Sequence, residues 1–389
     1  MERTQVGIIG AGPAGLVLSH LLAGAGIDTV VLESRSREYV EGRVRAGVLE
    51  AGTVSVLERV GVADRLRREG LVHEGVNLSF NGDRHRIDLA GLTGKTVTVY
   101  GQTEVVRDLV GARLAADLPL RFEAAAVAID DATTDRPVVH YETTDGPASL
   151  SCDVVAGCDG FWGMARPTIP APLLTTYERD HPYAWLGILA RVAPSSDELI
   201  YAFHDHGFAL SSLRSPEISR LYLQVAPDEN LDEWPDTRIW DELHIRLATD
   251  GWELHEGPVF DKGITPMRSY VAGPMRHGRV FLAGDAAHIV PPTGAKGLNL
   301  AVADVTILAE ALMAWYADAD ETGVDRYSDR CQARVWRAQE FATEMTTLLH
   351  LDPSADAFTR RIQRARQEQV CTSRAAATLI AENYVGLPL

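Results

Sequence analysis

The sequence has 389 residues, of which 46% are hydrophobic and 23% charged, so it is long enough for two or three folded domains. The formal net charge is −17, with 54 acidic against 37 basic residues, which argues against a nucleic acid or an anionic membrane surface as a partner. The cysteines are far apart in the sequence, a spacing that predicts free thiols in a reducing cytosol and no metal site (Cys152, Cys158, Cys331 and Cys371). We therefore expect a soluble, cytoplasmic, globular protein.

The first elements predict a βαβ unit. Gln5–Gly10 is a β-branched run ending in glycine, a helical pattern follows over Pro13–Ala25, and Thr29–Glu33 indicates a second buried strand. Val6–Ile27 is apolar, but it lacks a basic leader and is interrupted by glycines, so we interpret it as buried structure and not as a signal peptide. No other stretch is expected to span a bilayer.

A Gly-x-Gly-x-x-Gly motif, Gly10 to Gly15, lies between this strand and helix. Gly10 would make the tight turn, Gly12 would let a pyrophosphate approach the backbone, and Gly15 would allow close helix–strand packing. The helix N-terminus supplies partial positive charge for the pyrophosphate. Glu33, at the end of the second strand, is placed to accept hydrogen bonds from an adenosine ribose. The motif alone is weak evidence, but with both strands and Glu33 it predicts a dinucleotide site.

The pattern changes in the middle of the chain. Helical patterns at about Val48–Val60 and Gln102–Ala116 are followed, from about Thr175 to Leu247, by alternating polar and apolar segments. These segments predict antiparallel strands of a second domain at Glu198–Phe203, Phe208–Leu213 and Arg220–Val225.

The C-terminal third begins with a buried strand at Val280–Ala283 and a Gly/Pro-rich loop at Ile289–Gly297. Long amphipathic helices are predicted from Leu298 to about Met345, and a helical tail over Ala357–Ile380. The predicted class is α/β (α+β overall), with a Rossmann-like dinucleotide-binding domain. We assign it residues 1–174 and 268–345, with an antiparallel-sheet substrate domain inserted at 175–267 and a helical, interface-forming region at 346–389.

Two short motifs resemble those of the FAD-dependent aromatic hydroxylases. Cys158-Asp159-Gly160 resembles their Asp-Gly motif, and the segment from Gly284 to His288 resembles their Gly-Asp motif, in which Asp285 would bind the ribityl chain of FAD. Either motif alone could be a turn with a capping aspartate, but three motifs in the family order indicate FAD. The resemblance implies that Gln102 and Arg45 contact the FAD pyrophosphate and that Arg43 lies near the same cofactor.

Longer segments resemble the members of this family that hydroxylate 4-hydroxybenzoate. They extend over essentially the whole chain, at Gly42–Glu50, Leu71–Gly75, Thr98–Glu104, Pro291–Asn299 and Glu382–Pro388. The resemblance implies a homodimeric enzyme that uses NAD(P)H and O2 to convert 4-hydroxybenzoate to 3,4-dihydroxybenzoate through a flavin C4a-hydroperoxide.

The resemblance also implies a carboxylate clamp and a phenol activator. Arg214 would bind the substrate carboxylate through its planar guanidinium, with hydrogen bonds added by Ser212 and Tyr222. At the other end of the substrate, a proton would pass from the 4-hydroxyl group through a relay of Tyr201, Tyr384 and His73. Because a phenol ionises near pH ~10, the site must stabilise the phenolate, whose ring is more electron-rich.

On the flavin side, the resemblance implies a lining of Pro292, Lys296, Leu298 and Asn299, with Pro292 also contacting substrate. Lys296 would add positive potential that favours reduced flavin and phenolate. Arg220 would lie near the flavin and assist its movement between buried and exposed positions.

The nicotinamide loop departs from the pattern of NADPH-specific members. Those carry an arginine directly after the ribose-binding glutamate, where this sequence has Ser34, although Tyr39 is retained. Glu38 adds a negative charge where a 2′-phosphate would lie.

Other positions near the nicotinamide loop give mixed signals. Trp162 stands where those members have a histidine, whereas Arg166 and Arg268 match the family's pyrophosphate contacts. Arg35 and Arg37 could compensate for the missing arginine. We predict weak discrimination between the two donors, with a preference for NADH.

Without the resemblance, the site residues have ordinary interpretations. Tyr201 and Tyr222 would be core aromatics, His73 a surface histidine, and Arg214 and Arg220 solvated strand charges. Two rival functions also remain at this stage: an FAD hydroxylase of another hydroxybenzoate, and a non-catalytic protein with an FAD-binding fold. The clamp and the relay favour a substrate whose carboxylate and hydroxyl are para to each other.

Overall fold

The computed structural model describes residues 1–43 and 47–388, so Arg45 lies outside the described residues. The strands are β1 (Glu2–Ile9), β2 (Thr29–Leu32), β3 (Val48–Glu50), β4 (Leu71–His73), β5 (Gly75–Phe80), β6 (Asp83–Asp88), β7 (Val97–Val99), β8 (Leu120–Arg121), β9 (Ala125–Asp130), β10 (Val138–Thr143), β11 (Gly146–Gly157), β12 (Thr175–Ala190), β13 (Ile200–His204), β14 (Gly207–Ser215), β15 (Ile218–Val225), β16 (Val259–Gly273), β17 (Arg276–His277), β18 (Val280–Leu282) and β19 (His288–Ile289). The helices are α1 (Pro13–Gly24), α2 (Arg37–Gly42), α3 (Ala51–Arg59), α4 (Asp64–Glu69), α5 (Leu89–Thr93), α6 (Gln102–Ala115), α7 (Asp236–Leu247), α8 (Gly297–Asp318), α9 (Thr322–Asp325), α10 (Tyr327–Leu349), α11 (Ala357–Thr372) and α12 (Arg374–Val385). Short 3-10 turns occur at Arg166–Thr168, Leu231–Glu233, Gly284–Ala286 and Pro292–Gly294.

The first sheet is built on the predicted βαβ unit. Its strand order is β17-β18-β11-β1-β2-β8, with β9 and β10 attached beyond β11. The central strand β1 pairs in parallel with both β11 and β2, and Val6 and Ile8 in it are fully buried. The helices α1 and α8 share a hydrophobic core with this sheet. The predicted α/β class with a parallel sheet is confirmed.

The second sheet has the order β19-β16-β12-β15-β14-β13-β5-β6, and its pairs are antiparallel except for β13 with β5. Because side chains alternate along a strand, each face has its own core. One face packs on α7 through Ile239, Trp240 and Leu243. The other, which we call the inner face, bears Val76, Leu78, Trp185, Tyr201, Leu210 and Tyr222 and packs on α10 and α12.

Two local assignments differ from the sequence prediction. The alternating region was expected to reach Leu247, but Asp236–Leu247 is the helix α7, whose buried residues are spaced at helical intervals. The segment predicted as helical from Val48 begins instead with the short strand β3, which pairs with β7.

The sheets also bear on the predicted domain limits. Strands β5 and β6 precede residue 175 yet belong to the second sheet, and β16 extends beyond residue 267 to Gly273. The division into 1–174, 175–267, 268–345 and 346–389 stays a prediction.

The helix α8 is long and apolar enough to cross a membrane by length and composition alone, although no stretch beyond Val6–Ile27 was expected to be so. In the structure, 72% of its most apolar window is buried inside the protein. It is therefore accounted for as a core helix, and its apolar surface packs on α1 and α10.

Candidate active site

Two buried tyrosines meet on the inner face of the second sheet. Tyr201 lies in β13 and Tyr384 in α12, and their hydroxyl oxygens are hydrogen-bonded at 2.9 Å. Burial raises the pKa of Tyr201 well above its ordinary value and that of Tyr384 to about 12. Both hydroxyl groups are therefore neutral near pH 7, and each can donate and accept a hydrogen bond. The structure brings together two of the three predicted relay residues.

His73, the third predicted relay residue, lies at the end of β4. It is 1% exposed, so the interpretation as a surface histidine is wrong. Neither ring nitrogen has a hydrogen-bond partner among the described residues, and burial lowers the pKa of the imidazole to about 4. A buried polar group without a partner is costly and is typical of a functional site. The contacts of the described residues do not connect His73 to Tyr384.

The predicted substrate residues occupy neighbouring strands. Tyr201 pairs with Leu210 in β14, and Leu210 pairs with Tyr222 in β15. One step further along the same face, Ser212 pairs with Arg220. This register places Tyr201, Leu210 and Tyr222 in one row across the three strands. Ser212 and Arg220 form a polar row next to it on the same face. Tyr222 also packs as a core aromatic, since its ring centre lies 4.7 Å from that of Trp185.

Arg214 lies two residues beyond Ser212, where the β14–β15 register is irregular. Its side chain is only 15% exposed, so it is not a solvated strand charge. Burial and the neighbouring Arg220 lower the pKa of its guanidinium. Arg220 is also partly buried: one of its terminal nitrogens has no hydrogen-bond partner among the described residues, and its guanidinium lies 5.2 Å from the ring centre of Tyr222. Two close, poorly solvated cations favour an anionic ligand.

The glycine motif has the geometry of a pyrophosphate cradle. A Cβ atom at Gly10, where φ is +104°, would collide with the carbonyl of Cys158, and one at Gly15 would collide with the carbonyl of Gly10. At Gly12 a Cβ atom would meet no protein atom within 4 Å. Close packing therefore leaves no room for a side chain at Gly15. The space in front of Gly12, at the N-terminus of α1, is open for a ligand.

Glu33 closes the same turn. One carboxylate oxygen accepts a hydrogen bond from the backbone N–H of Ala11 at 2.8 Å, and the other accepts from Arg35 N–H at 2.8 Å. Ionised carboxylate oxygens can accept more than one hydrogen bond each, so ribose hydroxyls can still bind. The glycine cradle and Glu33 fit the dinucleotide part of FAD.

Asp159 organises the loop that follows the Asp-Gly motif. One carboxylate oxygen accepts from Ala165 N–H at 2.8 Å, and the other is buried without a partner among the described residues. Burial raises the pKa of this carboxyl group. Gly163 is required here, because a Cβ atom at that position would overlap the Asp159 carboxylate.

Asp285 is exposed in the 3-10 turn Gly284–Ala286, where it can reach a ligand. Asp304 of α8, which was not among the predicted site residues, holds this turn in place from the buried side. A carboxylate oxygen of Asp304 accepts from Gly284 N–H at 2.9 Å and lies 2.6 Å from His288 Nε2. Burial alone would lower the pKa of His288, but the Asp304 carboxylate outweighs it and the pKa is raised. The available sequence signal was Asp304 itself, the one acidic residue within the apolar stretch 300–309.

The polar side-chain atoms of Lys296 and Asn299 make their hydrogen bonds to other groups of the protein. The Lys296 ammonium donates to a Glu50 carboxylate oxygen at 2.6 Å and to the carbonyls of Asn383 and Tyr384. Burial lowers its pKa, and Glu50 opposes that shift. The Asn299 amide makes four hydrogen bonds, to Glu50 N–H, Thr53, Val48 and Ala295. Any contact of Asn299 with a flavin would therefore use its backbone or its hydrocarbon atoms.

The remaining flavin-side positions lie around these groups. Gln102 is the first residue of α6, and the carbonyl of the exposed Arg43 accepts from Thr103 at 2.9 Å, so the two predicted FAD neighbours lie close together. Pro292 is exposed in a 3-10 turn, and Leu298 is half-buried in the first turn of α8.

The predicted nicotinamide residues lie in two separate regions. Ser34 and Tyr39 are exposed, and the Arg35 guanidinium lies 5.3 Å from the Tyr39 ring centre. In the other region, Arg166 donates to the carbonyls of Ala286 and Phe161, whereas Arg268 pairs with Asp180 at 3.0 Å and Glu178 at 3.3 Å. Trp162 beside them is 89% exposed.

The fold, the glycine cradle and the two aspartate motifs define a flavin-binding protein of the Rossmann type. The FAD binding domain family matches residues 3–342, and the chain belongs to this family. It is 47% identical to the p-hydroxybenzoate hydroxylase of Acinetobacter baylyi over 99% of this chain and 96% of that protein. It is 27% identical to the 3-amino-4-hydroxybenzoate 2-monooxygenase of Streptomyces cremeus over 94% of this chain and 92% of that protein. The p-nitrophenol 4-monooxygenase of Pseudomonas putida has the same fold, with a TM-score of 0.85 over the whole of both chains at 24% identity.

We expect Asp304→Asn to weaken FAD binding about tenfold or more and to lower the free energy of unfolding by about 3–5 kcal/mol. The substitution would leave His288 without its buried counter-charge and would loosen the turn that carries Asp285. FAD affinity would be measured by the quenching of flavin fluorescence on binding to the apoprotein, and stability by urea unfolding.

Asp325→Asn is a suitable control, because it removes an ion pair of similar length, with Arg276 at 2.6 Å, from an exposed position. It should cost less than about 1 kcal/mol. Equal FAD affinity in Asp304→Asn and in the wild type would contradict the positioning role of Asp304.

Proposed function

We propose that this chain is a flavin-dependent monooxygenase that hydroxylates 4-hydroxybenzoate at C3 to give 3,4-dihydroxybenzoate, with NAD(P)H and O2 as co-substrates. The observation that carries the proposal is the buried hydroxyl pair of Tyr201 and Tyr384, which shares the inner face of one sheet with the cationic Arg214 and Arg220. A para-hydroxybenzoate has a phenol at one end and a carboxylate at the other, and these two groups match the two ends of that face.

The anionic end of the substrate would bind Arg214. A guanidinium offers two parallel N–H donors to a carboxylate, and the low solvent exposure of Arg214 strengthens such a pair. The hydroxyl groups of Ser212 and Tyr222, both 8% exposed, would supply further donors. The apolar residues Leu210 and Trp185 between and beneath these groups exclude water from the ring.

The phenolic end would be deprotonated through the tyrosine pair. Tyr201 can accept the substrate proton as its own hydroxyl proton moves to Tyr384, so neither tyrosine need become a stable anion. This matters because burial makes ionisation of both tyrosines unfavourable. His73, whose pKa is lowered by burial to about 4, is a neutral imidazole near pH 7 and would pass the relay proton on towards solvent, taking it at one ring nitrogen and releasing a proton from the other. The Tyr384-to-His73 step is part of the proposal.

FAD would be held by the glycine cradle, Glu33, Gln102, Arg43 and Asp285, with Asp159 supporting the adjoining loop. When bound, FAD supplies the redox chemistry that delivers one atom of O2 to the ring. The arginines around the site would favour the phenolate form of the substrate, which is activated at the carbon ortho to its oxygen.

We extend the proposal to the setting of the enzyme. The free cysteines support a location in the reducing cytoplasm, and a homodimer is part of the proposal. Residues 346–389 are proposed as the interface region, since Phe358 and Leu379 are exposed there.

The direct test is product identification after aerobic turnover. We expect 4-hydroxybenzoate to give 3,4-dihydroxybenzoate, with one NAD(P)H oxidised per product, measured by chromatography and by absorbance at the nicotinamide band. Only peroxide and unchanged substrate from the wild-type protein would reject the hydroxylase function. Faster turnover of 3-hydroxybenzoate or salicylate would favour a related hydroxylase instead.

We expect Tyr201→Phe to bind 4-hydroxybenzoate but to hydroxylate it at least about tenfold less efficiently per NAD(P)H oxidised, because the phenol loses its proton acceptor. The ratio of dihydroxybenzoate to peroxide would be measured at several pH values, since higher pH should partly restore hydroxylation. Tyr327→Phe is a matched control, because it also removes a buried hydroxyl hydrogen bond, to Leu282, outside the proposed relay. Unchanged coupling in Tyr201→Phe would remove it from the mechanism.

For the electron donor, we propose weak discrimination with a preference for NADH, and we expect Ser34→Arg to shift kcat/KM towards NADPH by roughly tenfold. Ser34 is exposed beside Glu33, so an arginine there could bind a 2′-phosphate. The measurement is the NADPH/NADH ratio of kcat/KM in both proteins. A strict NADPH preference that Ser34→Arg does not alter would indicate that Arg35 or Arg37 binds the phosphate.

A further inference from the structure

Glu104, in the first turn of α6, faces three arginines. Its Oε2 accepts a hydrogen bond from Arg65 at 2.5 Å, and its Oε1 accepts one from Arg107 at 3.1 Å. The same Oε1 lies 3.8 Å from Nη2 of Arg214. Arg65 also donates to the main-chain carbonyl of Glu104 at 3.1 Å. The carboxylate is therefore held from two sides and directed at Arg214 on the third.

The cluster around Glu104 is hydrogen-bonded and close to neutral. Asp108, one turn further along α6, accepts from Arg65 at 2.8 Å and from the Tyr100 hydroxyl at 2.7 Å. Three arginines, Arg65, Arg107 and Arg214, are thus balanced by three carboxylates, because Glu69 also lies 3.6 Å from Arg65. Burial opposes ionisation of Glu104, but Arg65 and Arg107 outweigh it and lower its pKa. Because the charge of Glu104 is already compensated, its repulsion of an incoming carboxylate is small.

Within this cluster, Glu104 is the residue that orients Arg214. Glu104 is its only ion-pair partner among the described residues, and none of its nitrogens makes a hydrogen bond there. The guanidinium also lies against the backbone of Gly101, because a Cβ atom added to Gly101 would overlap Nη1 and the guanidinium carbon. The contact with the Gly101 backbone and the ion pair with Glu104 together restrict the directions in which the Arg214 guanidinium can point.

We propose that Glu104 is a positioning residue for substrate binding, an internal carboxylate that orients the Arg214 guanidinium across the flat surface of Gly101. The inference rests on the proposed function, in which Arg214 binds the substrate carboxylate. It also connects the two sites, since Glu104 and Gly101 flank Gln102, the proposed FAD pyrophosphate contact at the start of α6. The N-terminal end of α6 thus positions Arg214 for the substrate carboxylate.

The test is a double-mutant cycle on holoenzyme, with the dissociation constant of 4-hydroxybenzoate measured from the absorbance change of bound FAD. We expect Glu104→Gln to weaken binding roughly threefold to fivefold in the wild-type background. In an Arg214→Lys background the same change should not weaken binding further, because the guanidinium that Glu104 orients is already absent. Asp108→Asn is the matched control: it removes the other carboxylate bound to Arg65 but leaves Glu104 facing Arg214, and it should leave binding unchanged.

Gly101→Ala provides an independent variant that changes no charge. Its methyl group would displace the guanidinium, so binding should weaken about tenfold or more while FAD affinity is retained. Tighter binding in Glu104→Gln would show competition in place of orientation. Additive losses in the cycle, or equal losses in Asp108→Asn, would show a merely structural role, and each of these results overturns the inference. Failure of the wild-type protein to bind 4-hydroxybenzoate would instead reject the proposed function.

Discussion

The buried ammonium of Lys296 is the interaction on which the candidate site depends. It joins three segments that are distant in sequence, because it binds Glu50 at the end of β3 and two carbonyls near the end of α12. Gly386, with φ of +92°, lets the chain end approach, since a Cβ atom there would overlap the Glu50 carboxylate. This anchor fixes Tyr384 opposite Tyr201 together with the packing of α12 on α5, α10 and α11. A buried cation is expensive unless it is paired and hydrogen-bonded, and here the helix end and Glu50 supply those partners.

The same logic separates supporting residues from candidate ligand contacts. Asn299 and Arg166 use their polar atoms within the protein, so they organise the segments around the cofactor. His73 and Arg220 instead keep buried nitrogens without hydrogen-bond partners among the described residues. Groups of the first kind stabilise the fold, whereas groups of the second kind cost stability and persist where a ligand or proton needs them.

The positive charge of the candidate substrate site is local and contrasts with the net negative charge of the protein. The whole chain is acidic, with a formal charge of −17, yet Arg214 and Arg220 form a cationic end to the inner face. The site can therefore attract an aromatic acid only over the short range within which these buried charges are poorly screened. Their effect also requires fixed directions, which α6 supplies through Glu104 and Gly101.

The sequence by itself determined the local elements and the cofactor class. The spacing of glycines between a strand and a helix, and the acidic Glu33 after the next strand, depend only on neighbouring residues, so the βαβ unit could be predicted without tertiary information. Helix α7 was missed because alternating segments before it suggested continued strands, and only packing on the second sheet shows which residues it buries. Residue types for the substrate site were found through the family resemblance, since the spacing from Tyr201 to Tyr384 carries no local signal. Only the tertiary structure decided that their hydroxyls meet, that Asp304 supports the Gly-Asp turn, and that Glu104 faces Arg214. These are contacts between residues far apart in the chain, and their geometry is decided by how sheets and helices pack.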